Sequence, residues 1–204
     1  MNAENFDIDA LLRMAHSPVR NYVLPGMTSS LIGAPSAKGT VRLFQNEREH
    51  QETVTPHSHR FDFMCWVLRG SVRNRIWTTS HPSDREADDY RTTKLRYGGE
   101  IGKYTEEPGE MRRWRFADSV FTEGQCYSMR SHEVHSIYFS RRAIVLFFEG
   151  PTVSDSSIVI EPVVNGETIR TMEVKPWMFK REPYNVPHER ANSVHGVSPL
   201  DAAG

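Results

Sequence analysis

Apolar positions change their spacing along the chain. Between Asn5 and His16, Ile8, Leu11, Leu12 and Ala15 recur at i, i+3, i+4 and i+7, with Asn5 or Asp7 placed as the cap. That spacing predicts one short amphipathic helix. Pro18 to Gly39 is rich in Pro, Gly and Ser and reads as connecting loop. From Thr40 onward, short runs rich in β-branched and aromatic residues alternate with turn signals. Thr40–Phe44, Asp62–Leu68, Val72–Thr79, Ile101–Thr105, Arg112–Ala117, Val134–Ser140 and Ala143–Glu149 are the predicted strands, with Ser80–Asp89 a polar loop. Ile158–Val164 and Glu167–Val174 flank Asn165-Gly166, the dipeptide a tight type I′ hairpin favours. Helical periodicity hardly recurs before residue 175, so the expected class is all-β. Residues 1–39 form the helix and loop, 40–183 the β domain, and 184–204 a tail expected to be mobile for want of large apolar residues. His188 and His195 lie in that tail.

A length of 204 residues suits one domain. Lys and Arg number 25 against 26 Asp and Glu, so the basic surplus of a nucleic-acid binder is missing. No apolar run approaches the roughly 18 residues that cross a membrane, and the acidic, polar start is unlike a signal peptide. Two cysteines, Cys65 and Cys126, are too few for a disulfide scaffold or a Cys-rich zinc module. The expected compartment is therefore the reducing cytoplasm. Cys65 stands in an apolar run and is expected to act as a small buried hydrophobe.

Candidate chemistry begins with His57 and His59, separated by Ser58 at the start of an apolar run. Residues two apart on a strand share a face, so both imidazoles can reach one ion. His135 opens the run HSIYFS and is the third candidate. Imidazole suits Zn, Cu, Fe and Ni alike.

The block TPHSHRFDFMCWVLRG resembles the first motif of the cupin superfamily, H-x-H-x(3,4)-E-x6-G, through His57, His59 and Gly70, with Phe63 at the carboxylate position. GQCYSMRSHEVHSIYF resembles the second, G-x5-P-x-G-x2-H-x3-N, through Gly124 and His135, with Arg130, His132 and Phe139 at its Pro, Gly and Asn. The resemblance covers residues 50 to 155. It implies a cupin-type double-stranded β-helix, a jelly-roll barrel with a short N-terminal helix and a metal on His57, His59 and His135. Parity puts Phe63 on the ligand face and turns Asp62 away. The expected site is thus three neutral histidines with coordination positions left open. HSHRFDFMCWVLRG and VHSIYFSRRAIVLFFEGP also look like small bacterial cupins and, in outline, like thiol dioxygenases. That group carries Ser-x-His-x-Tyr in the strand here occupied by Val145–Glu149, with Glu149 at the Tyr position.

Arg73 and Arg75 share a strand face with Trp77 and either hold a substrate carboxylate or form a solvated outer face. Arg112, Arg113 and Arg115 around Trp114 pose the same choice. His132 and Glu133 flank His135 and could serve as a substitute ligand or stand behind the metal. Together these features suggest a mononuclear non-haem iron oxygenase acting on a small polar molecule. Its cofactor would be one divalent ion, Fe(II) before Zn, Mn or Ni. A non-catalytic metal- or ligand-binding sensor and a metal-dependent isomerase or lyase are the alternatives. The expected partner is a small-molecule ligand, with neither nucleic acid nor membrane, and a homodimer is admitted.

Overall fold

A computed structural model describes residues 6–22, 24–49, 54–98 and 104–168. The helix forms where the periodicity places it, as α1 (Ile8–Met14). Asp7 caps it, its carboxylate accepting the Ala10 N–H at 2.9 Å. Seven residues make a marginal helix alone. Its stripe is held by packing, because Ile8, Leu11 and Leu12, with Phe6 and Ala15, cover Leu43, Trp66, Leu68, Ile144 and Leu146.

The strands are β1 (Ala15–Arg20), β2 (Met27–Ile32), β3 (Thr40–Asn46), β4 (Phe61–Arg69), β5 (Ser71–Thr79), β6 (Asp88–Tyr97), β7 (Tyr104–Thr122), β8 (Cys126–Met129), β9 (Val134–Phe139), β10 (Ile144–Thr152), β11 (Ser156–Val164) and β12 (Glu167–Thr168). They form two six-stranded antiparallel sheets, ordered β1-β2-β3-β10-β4-β8 and β12-β11-β6-β7-β5-β9. This is the all-β architecture with a short N-terminal helix that the sequence predicts. Alternation along β4 explains the layering. Phe63, Cys65 and Val67 enter the core between the sheets, together with Val72, Phe139, Val145 and Phe147. Trp66 and Leu68 point the other way, under α1.

Two corrections concern strands that were not expected. The loop predicted over Pro18–Gly39 contains β2 and part of β1. The sequence of β2, MTSSLI, hides its burial because Ser29 and Ser30 are as buried as its apolar neighbours. β6 and β7 pair over nearly the whole length of β6, and most side chains of β7 are exposed. A strand solvated on both faces shows no alternation, so only Arg112–Ala117 and the Tyr104–Thr105 end of the predicted Ile101–Thr105 were legible within it. Asn5, residues 101–103, the expected strand continuation beyond Thr168, and His188 and His195 lie outside the described residues.

Two local features position the site. Gly70, at φ +76°, makes the reversal from β4 into β5, and a Cβ there would stand 2.7 Å from Ser140 Oγ. Residues 56–58 bridge the second sheet. The His57 N–H and C=O bond to His135 of β9, while Pro56 and Ser58 bond to Ile160 and Ile158 of β11.

Candidate metal centre

That bridging segment turns His57 and His59 to one side, where β9 presents His135. The three rings offer ligand nitrogens within 4.8 Å of one another. Both His57 and His135 are buried, and their orientations are set from behind. The His57 Nδ1–H donates to the Thr55 carbonyl at 2.8 Å. The His135 Nδ1–H donates to Asn74 Oδ1 at 2.7 Å. Each bond fixes the proton on Nδ1 and leaves the Nε2 lone pair facing inward, as a metal-binding imidazole requires. His59 Nε2 lies 2.9 Å from His135 Nε2. Two nitrogens that share an ion at about 2.1 Å stand about this far apart. The widest separation in the set is larger.

Burial holds all three rings neutral. It lowers His57 despite the opposing bond to Thr55. It lowers His59 and His135 well below the usual histidine range, with further repulsion on His59 from both neighbours and on His135 from His57. Neutral imidazole is the form that coordinates, so the donor set fits a divalent ion.

Phe63 occupies the position of the missing carboxylate and faces the cluster, its ring centroid 4.8 Å from that of His59 and 5.4 Å from that of His135. Asp62 points outward, accepting the Ser131 N–H at 2.7 Å. The rings line a cavity of about 90 Å³ between the sheets, walled by Phe44, Phe61, Phe63, Ile137, Phe139 and Phe147. Cys65 also lines it, and burial pushes its thiol up to about 12. A neutral thiol inside an apolar wall behaves as the small hydrophobe expected of it.

Four residues expected near the site lie elsewhere. Arg73 and Arg75 share the outer face of β5 and bind Asp118, Arg75 through two bonds of 2.7 and 2.9 Å. The Arg73 guanidinium also stacks on the Tyr138 ring at 3.9 Å, and that of Arg75 on the Phe116 ring at 3.7 Å. Strand parity is the reason: Asn74, between them, takes the inward position. His132 is exposed on the turn before β9. The Glu133 carboxylate closes that turn by accepting the Arg130 N–H at 2.6 Å. Of the second arginine cluster, Arg113 and Arg115 approach Asp89 and Asp84 near the loop after β5.

Two functional candidates went unrecognised in the sequence. Asn74 is an uncharged polar residue between inward-facing Val72 and Ile76, which is the signal that marks it. Arg42 is a lone charge in the apolar run TVRLF, and it lines the cavity with Glu149. Their ion pair, Arg42 Nε to Glu149 Oε2 at 3.3 Å, has both side chains less than one-tenth exposed.

No family model matches the chain, and no curated protein is significantly similar to it. Solved structures with a similar fold include KdgF from Halomonas sp., at 14% identity over 66% of this chain and 88% of that one, with a TM-score of 0.37. An RmlC-like cupin from Shewanella frigidimarina gives 11% identity over 61% and 77%, with a TM-score of 0.35. Hydroxypropylphosphonic acid epoxidase from S. wedmorenis gives 9% identity, with a TM-score of 0.38. There the match covers 66% of this chain and 54% of the epoxidase, so this chain spans about half its length. At these identities and TM-scores the likenesses assign no residue a role.

Proposed function

We propose that the chain is a mononuclear non-haem iron oxygenase acting on a small molecule held in the cavity between the sheets. The observation that carries this is the meeting of three neutral imidazoles, two buried and that of His59 half-buried, with an aromatic-walled cavity where Phe63 stands at the fourth-ligand position. His57, His59 and His135 would hold the ion. Bound there, Fe(II) would supply one-electron chemistry toward O₂ at positions that no described residue fills. The contribution of the chain is positional. Thr55 and Asn74 aim two of the rings, and Phe61, Phe63 and Phe147 keep bulk water from the reacting centre.

Elemental analysis and oxygen uptake test the proposal together. Metal-supplemented protein is expected to hold about one divalent ion per chain, lost in His57→Ala and His135→Ala. Oxygen consumption is expected with Fe(II) and an added small polar molecule, and not with Zn. Protein that stays empty overturns the proposal. Occupancy and ligand binding without oxygen uptake would identify a non-catalytic binding protein, and anaerobic turnover with Zn, Mn or Ni an isomerase or lyase.

A further inference from the structure

The cavity contains a charged group that the histidine cluster does not use. Arg42 sits on the inward face of β3, its side chain 9% exposed. A guanidinium carries five N–H donors in a rigid fork. Those of Arg42 are weakly engaged. Nε reaches Glu149 Oε2 at 3.3 Å, and Nη1 reaches Ser29 Oγ at 3.5 Å. Nη2 has no hydrogen-bond partner among the described residues. Elsewhere in the same sheet pair, Arg75 grips Asp118 in the two-bond geometry that a carboxylate favours, at 2.7 and 2.9 Å. Arg42 is more deeply buried and holds its carboxylate by one long bond. Burying an ion pair is costly unless its hydrogen bonds are well satisfied, and here donors remain facing a cavity.

The path from Arg42 to the histidines is apolar. Arg42 lies opposite Phe147 across β3 and β10, and Glu149 lies opposite Phe63 across β10 and β4. Phe147 and Phe63 touch at 4.8 Å between ring centroids, and Phe63 in turn contacts His59. A ligand filling this space would meet a cation at one place, rings along its body and imidazole nitrogens at another.

We infer that Arg42 is the anion-binding group of the cavity, and that the ligand is a small organic acid. Its carboxylate takes the free edge of the guanidinium, and its short apolar body lies against Phe63 and Phe147. That the acid is a substrate rests on the oxygenase proposal; that it binds does not.

Calorimetric titration of the full chain after chelator treatment separates the two. The probes are acetate, butyrate, hexanoate and benzoate, each beside its uncharged amide. At least one acid is expected to bind saturably, its amide roughly tenfold or more weaker. Arg42→Lys, which keeps the charge and loses the fork, should weaken that acid by a similar factor. The double variant Arg42→Met/Glu149→Gln removes both charges together, so that no unpaired ion is left buried, and it should abolish binding. His135→Ala should retain it. The inference is overturned if no acid binds, if acid and amide bind alike, or if the double variant binds as the wild type does. Should the double variant fail to fold, Arg42→Lys decides alone. Metal content measured on the same samples keeps the proposals apart. Acid binding by a protein that takes up no metal ends the oxygenase proposal and leaves this one standing. Metal uptake without acid binding does the reverse.

Discussion

Asn74 holds the proton of His135 on the nitrogen that faces away from the cluster, through a bond of 2.7 Å. Its amide also donates to Met129 Sδ at 3.4 Å, which keeps the carbonyl turned toward the ring. Asn74→Leu keeps the volume and removes the acceptor. The stranded His135 N–H should cost about 1–3 kcal/mol in the metal-free protein, read as a fall in melting temperature. Loss of tautomer control should weaken metal binding about 10–100-fold, read by competition with a chelator of known affinity. Unchanged affinity would show that Asn74 does not orient the ring. Phe63 makes the complementary case, because its ring stands beside two imidazoles. Phe63→Glu would bring a carboxylate to the cluster and also face Glu149 across β4 and β10. Without metal, that like-charged, buried pair should destabilise the fold by several kcal/mol. With metal, the added ligand should tighten binding and give a larger thermal upshift than the wild type shows. A folded variant that binds metal no better would show that this side chain does not reach the ion.

At the scale of elements, α1 behaves as a lid on the outer face of the first sheet, and its cap can be tested without touching the core. Asp7→Ala removes the acceptor of the Ala10 N–H and should cost about 1 kcal/mol, a fall of about 2–4 °C in a protein of this size. No change would mean that sheet packing, through Phe6 edge-on to Trp66 at 5.1 Å, holds the segment unaided. This helix was legible in the sequence because its stripe is apolar in every position that packs. The same holds for β4, β5, β9 and β10, whose alternation reports burial on one face or both. β2 was not legible, because Ser29 and Ser30 are small enough to enter the core and carry no apolar signal. β6 and most of β7 were hidden for the opposite reason, since their hairpin is stabilised by backbone pairing and by exposed charge pairs such as Arg96 with Glu107 at 2.8 Å. The site divides along the same line. His57 and His59, and the facing of Phe63, could be read from spacing and parity, and His135 from the motif resemblance. Arg42 and Asn74 could not, because what makes each of them functional is a neighbour supplied by a distant strand, β10 for one and β9 for the other.

The whole molecule carries the consequence of burying three basic groups without charging them. Burial lowers His57, and lowers His59 and His135 well below the usual histidine range. In the unfolded chain each ring takes up a proton near pH 6.5. Above that pH the rings are neutral in both states, so they impose no pH dependence. As pH falls below 6.5, the unfolded chain gains protons that the folded chain refuses, and stability is lost until the folded rings protonate in turn. Chelator-treated protein scanned from about pH 8 to pH 5 should therefore show a melting temperature that is flat at first and then falls. Each ring that stays neutral contributes a slope of at most about 1.4 kcal/mol per pH unit. A divalent ion competes with those protons for the same lone pairs. Added metal should raise the melting temperature most at the alkaline end, and the gain should shrink as the solution becomes acid. His135→Gln should shallow the acid fall by about one proton while removing most of the metal-dependent gain. A wild-type curve that stays flat to pH 5 would mean that the rings meet solvent, and that this cluster is not the dry, neutral donor set a metal centre needs.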